Sequence, residues 1–231
     1  MHVPDGFLDA PTSIATGVVA VAAVGVALRR ARTELDDRTA PLAGLVATFV
    51  FAVQMLNFPV GAGTSGHLLG GALAAVLVGP WTGLLCLSVV VVVQSLLFAD
   101  GGITALGTNI GLMGLVTVMT GWLVLRALLV VLPSRLSMVA PAAGVAAFVS
   151  VPVAALCFTG LYAVGGQAPV PLAALATTMV GWHVLIGLGE AVITTLAVGS
   201  IVAVRPDLVR AARPVLERRP LVVRAGRETP A

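Results

Sequence analysis

The chain contains no lysine, and charged residues of every kind make up only 10% of its 231 positions. A soluble domain carries roughly a quarter. That scarcity excludes an ordinary soluble enzyme. Cysteine is also rare: Cys86 and Cys157 each sit inside an apolar run and behave as small hydrophobes. No P-loop pattern is present, so any ATP hydrolysis coupled to this chain must occur on another. The 26 Gly and 14 Pro follow no period, which excludes a collagen-like chain, and their spread does not suit a disordered one. What remains is a sequence 58% hydrophobic with a mean hydropathy of +1.07, the composition of a chain whose solvent is lipid.

A helix needs about 20 mainly apolar residues to cross the hydrocarbon core. Seven such runs stand near 12–31, 41–58, 66–79, 81–98, 105–132, 140–164 and 172–204. The expected fold is therefore an all-α integral membrane protein of seven transmembrane helices. The third run is short, rich in Gly and closed by Gly79-Pro80. All 13 basic residues are Arg. Arg29, Arg30, Arg32 and Arg38 follow the first run, Arg126 and Arg135 close the fifth, and seven lie between Arg205 and Arg227. With the N-terminus outside and the C-terminus cytoplasmic, every Arg falls on the inner side, as the positive-inside rule requires. Such a distribution sets membrane orientation and does not point to nucleic acid. It also places the two cysteines near opposite faces, so no disulfide is expected. A cleaved signal peptide would need a basic start, yet the opening MHVPDGFLDAPTS carries Asp5 and Asp9 and no Arg. Residues 1–204 read as one membrane domain, and 205–231 as a loosely ordered Arg- and Pro-rich tail at the cytoplasmic headgroups.

Polar residues in or beside the membrane are costly and mark function. In Met1-His2, the α-amine, the amide nitrogen of residue 2 and the imidazole Nδ1 can close adjacent five- and six-membered chelate rings in one plane. A planar nitrogen set suits Ni(II) or Cu(II), and low-spin Co(II) as well. The second group is GAGTSGHLLGG, residues 61–71, whose His67 is expected at a helix start, where the helix dipole disfavours imidazolium and leaves a free lone pair. His67 could complete a four-nitrogen plane. Gly70/Ala74 and Gly71/Ala75 offer small faces for close packing beneath it. In the third group, Asp100 and Asn109 bracket an outside loop and could orient ligand imidazoles. His183 and Glu190, seven residues apart, share a helix face near mid-membrane, as a polar pair or a gate. Gln54, Asn57 and Gln94 add polar groups within or at the ends of the second and fourth runs.

MHVPDGFL, GTSGHLLGG, FADGGITALGTN and HVLIGLGEAVIT, in that order, resemble the CbiM/NikM family, the substrate-binding membrane components of energy-coupling-factor cobalt and nickel transporters. The resemblance runs from residue 1 to about 204. It implies a binding protein with no enzymatic activity and no cofactor, whose substrate ion, Ni2+ or Co2+, lies in a square-planar site. Carried over, the ligands are the Met1 amine, the His2 amide and side chain, and the His67 side chain. The family implies partners: a transmembrane coupling protein, a cytoplasmic ATPase pair and often a small extra membrane subunit. Ser65, Asp100, Asn109, His183 and Glu190 are left as residues around the site or gating it. Ala43 and Ala47, early in the second run, are a candidate face for docking the coupling protein. A different class is also carried: GTSGH resembles a nucleophile turn, which would make Ser65 and His183 the pair of an intramembrane serine hydrolase.

Overall fold

The computed structural model describes residues 1–35, 39–61 and 64–218. Asp9 starts the first helix, α1 (Ala10–Arg30): its carboxylate accepts the Thr12 N–H at 2.9 Å, and Pro11 fills the first turn, where no N–H is needed. Arg29 and Arg30 close α1, favourably placed against its dipole. The chain continues through α2 (Ala40–Gln54), a hairpin of β1 (Phe58–Gly61) and β2 (Thr64–Gly66), α3 (Gly71–Val78) and α4 (Pro80–Leu97). Then α5 (Leu106–Asn109) runs through a π-helical stretch, Ile110–Val116, into α6 (Thr117–Val131). The last long helices are α7 (Val139–Gly165) and α8 (Leu172–Val204), followed by 3-10 turns and the short α9 (Arg213–Glu217).

Among the described residues, five helical stretches are long and apolar enough to cross a membrane: Ala10–Thr33, Pro80–Leu97, Leu106–Val131, Leu136–Gly165 and Leu172–Val204. Two of the seven expected spans fall short of that length. The second helix ends at Gln54 rather than 58, because Phe58–Gly61 turns back and pairs with β2, Phe58 opposite Gly66 and Pro59 opposite Ser65. So the fold is not purely α. The third run, expected as a helix over 66–79, is helical only over Gly71–Val78, a rise of about 12 Å. Gly70 takes a left-handed conformation (φ +75°) that stops the helix from extending back to His67. Gly79 (φ +98°) ends it, and Pro80 starts the next.

This short helix is the axis of the fold, with every one of its residues buried. Its neighbours approach through small residues, as the Gly/Ala pattern led one to expect. Gly121 of α6 lies against Ala72, and Gly83 of α4 against Ala74 and Ala75. Glu34, in the turn after α1, caps α4: its carboxylate accepts Thr82 N–H at 2.7 Å and Trp81 N–H at 3.3 Å. Cys86 and Cys157 are both free, and the Cys86 thiol donates to the Ala43 carbonyl. Ala43 and Ala47 therefore differ from the open docking face expected of them. Both are half-buried against the core, and the exposed edge of α2 carries Gly44, Leu45, Thr48 and Phe49. The segment after Val204 also differs from a loose tail as far as Arg218. Val209, Ala211, Ala212 and Val215 are buried in the same apolar cluster as α3, filling space that so short a helix leaves open. The rest of the tail, from residue 219 onward, lies outside the described residues.

Candidate metal centre

Of the first nine residues, Met1, His2, Val3, Phe7 and Leu8 are buried, while Pro4, Asp5 and Gly6 form an exposed turn between them. The tip of the segment threads into the bundle, where Met1 is 2% exposed and Val3 fully buried. A buried backbone must find partners for its polar groups, and here the 100–109 loop and α7 supply them. Val3 donates its N–H to Asn109 Oδ1 (2.7 Å), while its carbonyl accepts from Asn109 Nδ2 (3.1 Å) and Gly102 N (2.9 Å). Asp5 accepts from the Thr104 backbone and hydroxyl. Gly102 has to be glycine for the chains to approach, since a side chain there would meet the backbone of Pro4 and Asp5. Farther along, Phe7 packs its ring 5.7 Å from Phe158 and 5.1 Å from Tyr162, and Asp9 N donates to Gly165 O at 2.7 Å. Asn109 thus holds the backbone of the N-terminal segment, a different task from the orientation of an imidazole expected of it.

The inserted tip brings Met1 and His2 beside His67. The two imidazoles stack with centroids 4.5 Å apart and planes 29° apart. His2 Nε2 pairs with Gln94 Oε1 at 3.1 Å. A neutral His has one N–H, so donation from Nε2 leaves Nδ1 as a lone pair. That Nδ1 stands 3.1 Å from Asp100 Oδ1 yet lies outside hydrogen-bonding geometry, and nothing else donates to it. Asp100 is itself steadied by the Asn57 amide, which donates to Oδ2 at 2.8 Å. His67 Nδ1 donates to Leu68 O at 2.9 Å, so its Nε2 is also a buried lone pair without a partner. Two unpartnered imidazole nitrogens therefore sit on neighbouring stacked rings, one of them with a carboxylate at 3.1 Å. A cleft lined by Asn57, Pro59, Ser65 and Asp100 leads to His2.

His67 is placed by two side chains far away in sequence. Glu190 accepts the N–H of Leu69 at 2.7 Å and of Gly70 at 2.9 Å, and Gln54 donates to the Leu69 carbonyl at 2.7 Å. Between them they hold the turn that sets Gly70 left-handed. His67 is thus kept in an extended segment, and the helix-start argument for its neutrality is replaced by burial. Glu190 and His183 are not a polar pair. His183 donates from Nδ1 to Met179 O at 2.7 Å, one turn back on α8, and its Nε2 has no partner. Ser65 lies in β2, opposite Pro59, on a strand rather than a nucleophile turn at a helix start. No hydrogen bond joins it to His183, and the hydrolase reading falls. In the sequence Gln94 and Gln54 stand out only as polar groups, and Glu34 does not stand out at all. Gly79-Pro80 was the available signal for Glu34, since a helix start needs an acceptor for its first N–H groups. Among the described residues, no three His, Cys, Asp or Glu side chains come together as a metal-holding group.

Burial lowers the α-amine from its ordinary 8.0 to about 4, with Asp100 opposing the change. Burial likewise brings His2 from 6.5 to about 4. Both groups are therefore neutral, metal-competent donors at pH 7.

A multi-pass apolar helical bundle with an inserted N-terminus and two stacked, buried imidazoles fits the class of membrane proteins that take up metal ions. Residues 2–208 match the CbiM family, described as the cobalt uptake substrate-specific transmembrane region, and the chain belongs to that family. It is a cobalt/nickel transport protein of the cell membrane. It is 40% identical over 210 residues to a putative fused nickel transport protein NikMN of Archaeoglobus fulgidus, covering 90% of this chain and 68% of that one. A putative metal transport protein of Haloquadratum walsbyi is 38% identical over 90% of this chain and 93% of its own. A cobalt transport protein CbiM of Sorangium cellulosum is 39% identical over 53% of this chain and 56% of its own length. A crystal structure of a truncated transition metal transporter superposes with a TM-score of 0.81 at 29% identity, over 88% of this chain and 99% of that one.

Two outcomes follow from this geometry. Glu190→Gln exchanges one acceptor for an amide donor facing a backbone N–H. It should lower stability by about 1–3 kcal/mol and loosen His67; thermal unfolding in detergent, with wild-type-like melting as the contrary result, checks it. The second concerns pH. The docked N-terminus binds fewer protons than the released one between the docked value near 4 and the free value of 8.0. Docking is therefore strongest above pH 8 and is lost as pH falls. Between pH 8 and 6.5 the amine alone should weaken it by about tenfold per pH unit, and His2 steepens the loss below that. Hydrogen-exchange protection of the Val3 amide, corrected for intrinsic rate, measures this; flat protection would contradict it.

Proposed function

We propose that the protein is the substrate-capture component of an ATP-driven energy-coupling-factor importer, and that it binds Ni2+ or Co2+ as cargo at its N-terminus. The ligands are the Met1 amine, the His2 amide nitrogen and Nδ1, and His67 Nε2, four nitrogens suited to a square-planar ion. The observation that carries this reading is the buried His2 Nδ1, bare and 3.1 Å from a carboxylate, with the terminal amine neutral beside it. An ion on Nδ1 turns the lone-pair repulsion against Asp100 into attraction. His67 stacks over the face of His2, so its ring swings edge-on to enter the plane. Asp100 and Gln94 orient His2, and Asn109 and Glu190 hold the two ligand segments together. Ser65 lines the entrance.

The absence of any ATP-binding pattern supports dependence on partners, namely a transmembrane coupling protein and a cytoplasmic ATPase pair, with a small accessory membrane subunit as a further one. In this reading the chain contributes capture and presentation of the ion, without catalysis of its own and without a resident cofactor. The Arg distribution supports an outside N-terminus and a cytoplasmic C-terminus, with residues 1–204 as the membrane domain.

Titration of Ni(II) and Co(II) into the untagged chain tests the site. His2→Ala, and a variant with one residue added before Met1, should each lose metal binding by at least about a hundredfold. An extended variant that binds as tightly as the native chain removes the amine from the ligand set. Orientation is tested in a Cys86→Ala, Cys157→Ala background. A membrane-impermeant maleimide should label Ile103→Cys in intact cells and Thr33→Cys only after permeabilisation; the reverse pattern inverts the topology.

A further inference from the structure

His183 is fully buried in the bundle, yet its Nε2 has no hydrogen-bond partner. Buried imidazole nitrogens are normally satisfied, and an orphan calls for a ligand or water that it serves. Its tautomer is set, because Nδ1–H is donated to Met179 O at 2.7 Å, leaving Nε2 as an acceptor. Its position is set by α8. Ile186, three residues on, packs against Gly66, and Glu190, seven on, binds Leu69 and Gly70. His183 shares that face. On the other side of it in the chain, Trp182 packs its ring 6.0 Å from Phe58 of the hairpin. His183 thus stands level with the His67 segment, rather than deep in mid-membrane as its place in the run suggested. Helical side chains lean toward the N-terminal end of their helix. For α8 that is the end reached from Gln167, whose N–H binds the Phe7 carbonyl of the inserted segment.

Resting on the N-terminal chelate proposed above, we infer that His183 Nε2 accepts a hydrogen bond from a water held on the axial position of the bound ion, and so helps set which ion the site prefers. A direct bond is not required, in keeping with the absence of a three-side-chain metal group among the described residues. The chemistry separates the two substrates. Ni(II) in a strong planar nitrogen field is content with four donors, whereas Co(II) in the same plane keeps an unpaired electron along the axis and takes a fifth. An acceptor for the axial water strengthens the second ion and is indifferent to the first. Residues that steady a metal-bound group in this way are worth 10–100-fold in affinity, about tenfold at the low end.

The test uses the full, untagged chain in detergent with Ni(II) and Co(II) titrated separately, for wild type, His183→Ala and His183→Gln. His183→Ala should bind Ni(II) within about twofold of wild type with an unchanged planar spectrum. It should bind Co(II) about tenfold more weakly, its spectrum shifting from five- to four-coordinate. His183→Gln, which keeps an acceptor oxygen, should recover part of the Co(II) loss. Equal weakening of both ions marks His183 as packing only and overturns the inference, as does an unchanged Co(II) spectrum. A wild-type chain that binds neither ion, or an N-terminally extended one that binds both normally, overturns the chelate itself and this inference with it.

Discussion

A chain end placed inside an apolar bundle must bring its amine, its amides and its carbonyls with it, and each needs a partner or must lose its charge. Most of the structure around the site answers that requirement. Asn109 takes both polar groups of Val3, Gly102 takes a second bond to the same carbonyl, and Asp5 is fixed by Thr104. The amine is left neutral by burial. Once neutral, it carries a free lone pair, so the desolvation that makes a buried terminus costly in other proteins is what the proposed metal site would use.

The same economy of partners shapes the helix beneath. α3 has only eight residues and is buried on all sides, so neither of its ends reaches water. Glu190 receives the N–H groups just before its start, and Glu34 receives those at the start of the helix that follows. Two carboxylates on distant elements thereby hold the ends of the shortest segment. Glu190 also fixes the turn carrying His67, so the position of that imidazole and the packing of the core are set by one side chain. The folded segment after Val204 completes the arrangement by filling the space beyond α3.

The helices were legible where the pattern was long and the punctuation unambiguous. The run 172–204 coincides with α8, and 81–98 differs from Pro80–Leu97 by one residue. The run 66–79 is longer than α3 because its opening Gly-His-Leu-Leu-Gly is as apolar in an extended segment as in a helix. The choice was made by Glu190, some 120 residues away, which supplies the acceptors that hold Gly70 left-handed. The hairpin was missed for a related reason, since β1 and β2 are too short to show an alternating pattern. His183 was placed deep by counting residues along its helix, but α8 rises about 50 Å over its 33 residues, more than the hydrocarbon thickness, so its depth depends on what it packs against.

The adjacency of the Met1 amine, the His2 amide and Nδ1 was determined by the sequence alone, because covalent bonds whose lengths no fold can alter hold the three nitrogens close. The scarcity of charge and the placing of Arg likewise specified a membrane protein and its expected orientation, since both follow from transfer energies that each residue carries with it. Tertiary structure alone decided that the terminus enters the bundle, that His67 meets His2, that Asp100 and Gln94 frame the imidazole, and that Glu190 serves a turn rather than His183. Those are distances through space between segments that in places lie more than 120 residues apart, and they exist only when the intervening helices have packed.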